Sequence, residues 1–139
     1  MNHEEHEEHE EEQALAVQFD ELSSRVIGCA IEVHRQLGPG LLESAYRTCL
    51  GYELQSAGLR FQSERPVGLR YKDVDLDCGF RMDLLVDGVL IVELKTVEKL
   101  LPVHSAQLLT YMKLAKLRVG LLINFQTRVL RDGIRRLVL

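Results

Sequence analysis

The sequence predicts an α/β domain in which helices flank a mixed central sheet. Three observations support this fold class. Apolar residues recur at helical spacing early in the chain, strand-like segments separated by turn residues follow, and a helix and a short apolar strand come last. This order places one sheet between helices and does not match the doubly wound Rossmann arrangement.

Length and composition favour one domain. The chain has 139 residues, of which 46% are hydrophobic, enough for one buried core and too few for two ordinary domains. Its longest apolar stretches fall far short of the about 20 residues that span a bilayer, and no secretory signal opens the chain. We therefore expect a cytoplasmic protein without a membrane anchor, with residues 19–139 as the single domain.

The beginning of the chain differs from the rest in charge. Residues 1–12 repeat His-Glu-Glu and hold seven glutamates and no Lys or Arg. We expect an acidic solvated tail over residues 1–18, although His3, His6 and His9 are also compatible with binding a transition metal. Without residues 1–12 the formal charge of −4 becomes 17 basic against 14 acidic residues, which is compatible with a phosphate-rich partner but does not identify one.

The three cysteines, Cys29, Cys49 and Cys78, form no CxxC pair. Neither a zinc knuckle, nor a disulfide framework, nor a four-cysteine iron–sulfur cluster is indicated. We expect buried free thiols in a reducing compartment.

A Gly-Pro-Gly turn joins the first two predicted helices. Apolar residues at three- and four-residue spacing predict a helix over residues 20–37, with Asp20 as its N-cap. Gly38-Pro39-Gly40 ends it, and a second helix is expected over about residues 41–57, followed by Gly58 in the left-handed conformation.

The middle of the chain is strand-like, which predicts a meander of three or four antiparallel strands. The strand-like segments are residues 60–65, 67–71, 74–86 and 89–97. Pro102 then begins a third helix that is expected to end near Leu117. Its predicted buried stripe is Leu108, Leu109, Met112 and Ala115. Residues 119–125 are predicted to be a strand buried on both faces, and residues 128–139 an edge strand or an irregular closing segment.

Charged residues interrupt an apolar strand at Glu93 and Lys95. The two side chains point to the same face of the strand because they are two residues apart. Charged groups in such a strand are costly unless they meet a metal or each other. The pattern therefore indicates either a metal site or an ion pair between Glu93 and Lys95 on a half-exposed strand.

The turn between two strands decides whether Asp83 joins Glu93 and Lys95. A two-residue turn at Asp87-Gly88 would place Asp83 opposite Val92 and on the other face. A three-residue loop over residues 86–88 would pair Leu85 with Val89 and Asp83 with Ile91. We expect the three-residue loop, because it brings Asp83, Glu93 and Lys95 to one face. Two carboxylates there and a nearby backbone carbonyl would suit Mg²⁺ or Mn²⁺.

Asp83 with Glu93-Leu-Lys95 resembles the D…ExK signature of the PD-(D/E)XK nuclease superfamily, and Gly40-Leu-Leu-Glu43-Ser-Ala-Tyr46 resembles the motif of the GxxExxY proteins within it. Further matches span about residues 22–139. They are Glu32-Val-His34-Arg35, Gln107-Leu-Leu-Thr-Tyr111 and Asp132-Gly-Ile-Arg-Arg. The resemblance implies a core of helix, three antiparallel strands, helix and strand. Met82 stands where the superfamily usually has proline before the aspartate.

The resemblance also implies roles for individual residues. Asp83 and Glu93 would be the metal ligands, and Lys95 would be the catalytic lysine that orients and deprotonates the attacking water. Glu43 would be an acidic catalytic residue that holds the metal through water. The residues implied in substrate binding are Tyr46, Arg81, Gln107 and Tyr111.

Structural explanations stand beside several of these roles. Glu43 and Tyr46 are also compatible with a local helix pair, and Gln107 and Tyr111 with hydrogen bonds that tie the third helix to the sheet. His34 and His104 are candidates for an acid, a base or a ligand, but histidines near helix ends are more often structural.

The sequence is compatible with two functions. One is a Mg²⁺-dependent nuclease that hydrolyses phosphodiester bonds of nucleic acid, with DNA favoured over RNA. The other is a non-catalytic binding or assembly module that reuses the nuclease fold, as a possible homo-oligomer. The second is motivated by the weakly basic body, the acidic tail that would repel nucleic acid, and the small size of the chain.

Overall fold

A computed structural model describes residues 21–139 of the protein. The predicted tail over residues 1–18, its three histidines and the predicted N-cap Asp20 lie outside the described residues.

The described residues form helices on both sides of a sheet. The elements in chain order are α1 over residues 21–37, α2 Glu43–Ser56, β1 Phe61–Pro66, β2 Leu69–Tyr71, β3 Val74–Leu76, β4 Arg81–Val86, β5 Leu90–Lys95, α3 Pro102–Ala115, β6 Val119–Asn124, a 3₁₀ helix Leu130–Gly133 and β7 Ile134–Val138.

Five strands form one mixed sheet in the order β1-β4-β5-β6-β7. Neighbouring strands are antiparallel except β5 and β6, which are parallel because α3 connects them across the sheet. The sheet has two apolar faces: α1 and α2 pack on one of them, and α3 packs on the other. The predicted arrangement of helices on both sides of a mixed sheet is confirmed.

The predicted continuous strand over residues 74–86 is wrong. β3 ends at Leu76 and pairs only with β2, in a separate two-stranded sheet, whereas β4 begins at Arg81. The Oδ1 atom of Asp77 accepts a hydrogen bond from the backbone N–H of Gly79 at 3.0 Å, and Gly79 has a φ of 74°. This turn separates the two strands.

The helix ends follow local rules. Gly58 has the expected left-handed φ, 77°, and the N–H of Leu59 donates to the carbonyl of Leu54 at 2.9 Å, which closes the last turn of α2. α3 ends at Ala115, two residues before the expected end, because Lys116 is left-handed with a φ of 58°. Its buried residues include Tyr111, whereas Leu109 and Ala115 are only half-buried.

The closing segment contains both structures that the sequence left open. The 3₁₀ helix Leu130–Gly133 is followed by the edge strand β7, which pairs with β6. A Cβ atom on Gly133 would lie 2.5 Å from the carbonyl oxygen of Asn124, so this turn requires glycine.

The cysteines are free thiols, but not all are buried. Cys29 and Cys49 are half-buried, and burial raises the pKa of the Cys29 thiol. Cys78 is exposed in the turn before β4, so the prediction of a buried thiol is wrong there. Within residues 21–139, no helix is long and apolar enough to cross a membrane.

Candidate active site

The hairpin between β4 and β5 has a different register from the one expected. Asp87 and Gly88 are both left-handed, with φ values of 54° and 69°, and the N–H of Val89 donates to the carbonyl of Val86 at 3.1 Å, as in a two-residue turn. The ladder nevertheless resumes with Val86 opposite Leu90. Val89 is therefore an extra, unpaired residue, and the expected pairing of Leu85 with Val89 is wrong.

This register places Asp83 directly opposite Glu93. The paired ladder ends at Leu84 and Val92, and beyond it the two carboxylates replace backbone carbonyls as acceptors. The N–H of Asp83 donates to Glu93 Oε1 at 3.0 Å, and the N–H of Leu94 donates to Asp83 Oδ2 at 2.8 Å. One oxygen of each carboxylate is thus fixed by the main chain.

Burial and a neighbouring charge make Glu93 an unusual acid. Glu93 is 6% exposed. Desolvation and then the negative charge of Asp83 raise its pKa to about 8, against the lowering effects of the Asp83 N–H and of the Lys95 charge. Glu93 therefore holds its proton to higher pH than an ordinary glutamate does.

Lys95 ends β5 and is held by α3. Its ammonium group donates to Gln107 Oε1 at 3.1 Å, and the amide of Gln107 donates to the hydroxyl of Tyr111 at 3.2 Å. No ion pair joins Lys95 to Asp83 or Glu93 among the described residues. The alternative of an ion pair on a half-exposed strand does not describe the buried Glu93, although the Lys95 charge still lowers its pKa.

Two charged residues that the sequence patterns did not single out lie beside Asp83. The guanidinium of Arg47 is 3.5 Å from Asp83 Oδ1 and 3.4 Å from Glu64 Oε1. Glu64 lies opposite Asp83 in the register of β1 and β4, but the pair is skipped because Glu64 is left-handed, with a φ of 53°. A signal for Arg47 was present, since it follows Glu43 by four residues and shares its helical face.

The family model of the PD-(D/E)XK nuclease superfamily matches residues 20–137. The chain belongs to this superfamily. No curated protein and no solved structure matches the chain significantly. Membership in the PD-(D/E)XK superfamily indicates nuclease activity, and its nucleases typically use divalent metal ions.

The carboxylates of Asp83 and Glu93 are compatible with a hard divalent cation. The described residues contain no group of three or more His, Cys, Asp or Glu side chains that could hold a metal. Magnesium, however, usually keeps several waters and is bound through one or two carboxylates. Asp83 and Glu93 supply two, in a site where the carboxylates otherwise repel each other.

Asn124 fixes the segment that follows Lys95. Asn124 is 1% exposed, and its side chain accepts the N–H of Val97 at 3.1 Å and donates to the Val97 carbonyl at 2.8 Å. The N–H of Phe125 donates to the carbonyl of Lys95 at 2.9 Å. The end of β5 is therefore held by β6, a contact between distant segments that strand patterns alone do not reveal.

Tyr46 has a structural placement. Its ring is fully buried and stacks on Phe125 with 4.4 Å between centroids. Its hydroxyl donates to the carbonyl of Gly38 and accepts the N–H of Leu41, so it ties α2 to the Gly-Pro-Gly turn. The side chain offers no free surface to a substrate, in contrast to the role that the resemblance implied.

The remaining candidates are two charged residues, Glu43 and Arg81, and two histidines. Glu43 is half-buried in the first turn of α2, and Arg81 is exposed at the start of β4. His34 contacts the carbonyl of Thr127 at 2.7 Å, and His104 accepts the N–H of Leu101 at 2.9 Å at the start of α3. Both histidines therefore contact the backbone, which favours a structural role for them over a role as acid, base or ligand.

Proposed function

We propose that the protein is a nuclease of the GxxExxY group that hydrolyses phosphodiester bonds of nucleic acid, preferably DNA, with Mg²⁺ or Mn²⁺. The observation that carries this proposal is the direct opposition of Asp83 and Glu93, with Lys95 two residues further along the same strand. Two carboxylates can hold a cation, and a lysine on the same strand can orient the attacking water, as metal-assisted hydrolysis requires.

The protonation of Glu93 supports a cation site. Its pKa of about 8 reflects a buried carboxyl beside a second carboxylate, an arrangement that is unfavourable unless a positive charge is added. A divalent cation supplies that charge and favours the deprotonated carboxylate.

The proposed roles divide between the metal and the substrate. Asp83 and Glu93 would hold the cation, which would stabilise the negative charge that develops on the phosphate. Lys95 orients the attacking water, and Gln107 keeps the ammonium group in position through its 3.1 Å contact. Arg81 is exposed and positively charged, which suits contact with a substrate phosphate.

Two further candidate residues belong to the proposal. Glu43, half-buried in the first turn of α2, would be the acidic residue that reaches the cation through water. Tyr111 is only 8% exposed and supports Gln107 through its hydroxyl, so it contributes to substrate binding indirectly.

We place the protein in the cytoplasm, because its three thiols are free.

The alternative is a non-catalytic binding or assembly module. It is favoured by the finding that residues 21–139 contain no group of three or more His, Cys, Asp or Glu side chains that could hold a metal. In that case the edge strands β1 and β7 are the surfaces through which copies of the chain would pair.

The proposal is tested by incubating labelled single- and double-stranded DNA and RNA with the full chain and Mg²⁺, Mn²⁺ or a chelator. We expect cleavage that requires the metal, is strongest on DNA and is lost in Asp83→Asn. Asp75→Asn is the matched control, because it removes a carboxylate from the separate β2–β3 sheet. Metal-independent cleavage, or none on any substrate by a folded chain, contradicts the proposal.

A further inference from the structure

The guanidinium of Arg47 lies between two carboxylates of different strands, Asp83 on β4 and Glu64 on β1. We propose that Arg47 competes with the divalent cation for Asp83, and that Glu64 is the second anchor that keeps the guanidinium beside the site when the cation is bound. This inference rests on the proposed function, since it assumes that Asp83 is a metal ligand.

Arg47 faces the oxygen of Asp83 that the main chain does not hold. Asp83 Oδ2 accepts the N–H of Leu94, whereas Oδ1 is the atom 3.5 Å from the Arg47 guanidinium. A cation that binds Asp83 through Oδ1 therefore meets a positive charge already there. Two cations close to one carboxylate repel each other, most strongly in a partly buried site, and Asp83 is only 16% exposed.

The contacts of Arg47 are loose enough to be exchanged. Strong hydrogen bonds between charged groups are about 2.7–2.9 Å long. Arg47 lies 3.5 Å from Asp83 and 3.4 Å from Glu64, and no short bond locks its side chain to either partner. The guanidinium can therefore leave Asp83 without losing a bidentate pair.

Glu64 is placed to retain Arg47. The β1–β4 register puts Glu64 directly opposite Asp83, and the left-handed φ of 53° takes this pair out of the regular ladder. A non-glycine residue in that conformation is unusual inside a strand. The side chain of Glu64 is 59% exposed, so its carboxylate stays available to Arg47 at the rim of the site.

The competition has a reciprocal consequence. If Arg47 weakens binding of the cation to Asp83, the cation must weaken the contact between Arg47 and Asp83 by the same factor. Removal of the guanidinium should then tighten metal binding, and addition of metal should change the environment of Arg47 in the unmodified chain. These two effects can be measured separately from activity.

The first measurement is calorimetric titration of the full chain with Mn²⁺, in comparison with Arg47→Met, Arg47→Lys and Arg70→Met. We expect Arg47→Met to bind Mn²⁺ about tenfold more tightly, within the usual range of coupling between two sites. Arg47→Lys keeps the charge and should stay close to the unmodified chain. Arg70→Met removes an arginine that faces Asp75 in the separate sheet and should leave the affinity unchanged.

The second measurement needs no variant at the site, and therefore does not depend on how Arg47→Met folds. Titration of the unmodified chain with Mg²⁺ should shift the NMR signal of the Arg47 side-chain N–H, with the Arg70 signal as the reference. A shift that saturates with metal binding supports the competition, and an Arg47 signal that is unaffected by saturating metal overturns it.

The outcomes separate this inference from the proposed function. Unchanged or weaker Mn²⁺ binding in Arg47→Met, or equal tightening in Arg70→Met, overturns the inference. If Asp83→Asn nevertheless loses its affinity for Mn²⁺, Asp83 is still supported as a metal ligand. If the unmodified chain binds no Mn²⁺ at all, both the proposed function and the inference fail.

Discussion

Asp83 and Glu93 face each other across β4 and β5, and the backbone N–H of Asp83 donates to Glu93 Oε1 at 3.0 Å. The pairing of the strands stops at this point, so the carboxylates are fixed by main-chain donors and remain beside each other. If both carboxyls are ionised, their like charges repel each other, and without a cation the site favours a proton on Glu93 instead. The pair is therefore better explained as a site for a cation than as a contribution to the stability of the fold.

The stability of the metal-free protein should depend on the protonation of Glu93. Its pKa is raised from 4.5 to about 8 in the folded chain. Between these values the folded chain holds a proton that the unfolded chain has lost, so the free energy of unfolding falls as the pH rises, by up to about 1.4 kcal/mol per pH unit. Urea unfolding with a chelator at several pH values measures this slope.

Glu93→Gln is the control for that slope, since glutamine does not titrate. We expect the variant to lose the fall in stability between pH 4.5 and about 8 that Glu93 contributes. Identical pH profiles for the variant and the unmodified chain would show that Glu93 does not retain its proton.

Gly120 on β6 should be intolerant of a side chain. A Cβ atom there would lie 2.8 Å from the sulfur of Met112, 3.1 Å from Ile91 and 3.2 Å from Leu108, where α3 packs on the sheet. Gly120→Ala is expected to cost about 1–3 kcal/mol of unfolding free energy. Since α3 carries Gln107, the same variant should disturb the support of Lys95.

Gly28 on α1 provides the matched glycine. A Cβ atom on Gly28 meets no atom within 4 Å. Gly28→Ala is expected to stabilise the chain by up to about 1 kcal/mol, because alanine is the better helix former. Denaturant unfolding of both variants checks the pair, and equal effects of the two substitutions would contradict the described packing of α3.

Asn124 should be essential for the segment after Lys95. Asn124→Leu removes the buried side chain that binds the N–H and the carbonyl of the half-buried Val97. We expect a loss of about 2–3 kcal/mol in the free energy of unfolding. Thr127→Val removes a single hydrogen bond to the Asn124 carbonyl and should cost about 1 kcal/mol. Comparable losses would mean that Asn124 does not hold this segment.

Local patterns predict the helices, the strands and the order of layers well. Gly58 ends α2 in the expected conformation, and the strand carrying Glu93 and Lys95 is buried where the apolar pattern predicts it. The hairpin shows the limit of such rules. The tight turn at Asp87-Gly88 and the extra residue Val89 together shift the register by two residues from the expected one, which keeps Asp83 on the side of Glu93.

Long-range contacts explain the features that the sequence could not predict. The four-residue spacing places Arg47 on the helical face of Glu43, but the contacts of Arg47 with Asp83 and Glu64 depend on how α2 and β1 pack against β4. The resemblance to the GxxExxY motif implied a role in substrate binding for Tyr46. The Tyr46 ring is instead buried against Phe125, a residue distant in sequence. A motif can thus contain residues that support the fold beside residues that carry the chemistry.

Cleavage of labelled DNA by Lys95→Met in the presence of Mn²⁺ separates catalysis from metal binding, provided that Mn²⁺ binding is measured on the same sample. Methionine preserves most of the side-chain volume but removes the ammonium group that Gln107 holds. If Lys95 activates the water and the two carboxylates hold the metal, Mn²⁺ still binds through Asp83 and Glu93 while cleavage is lost. Cleavage by Lys95→Met at the rate of the unmodified chain would contradict this assignment of roles.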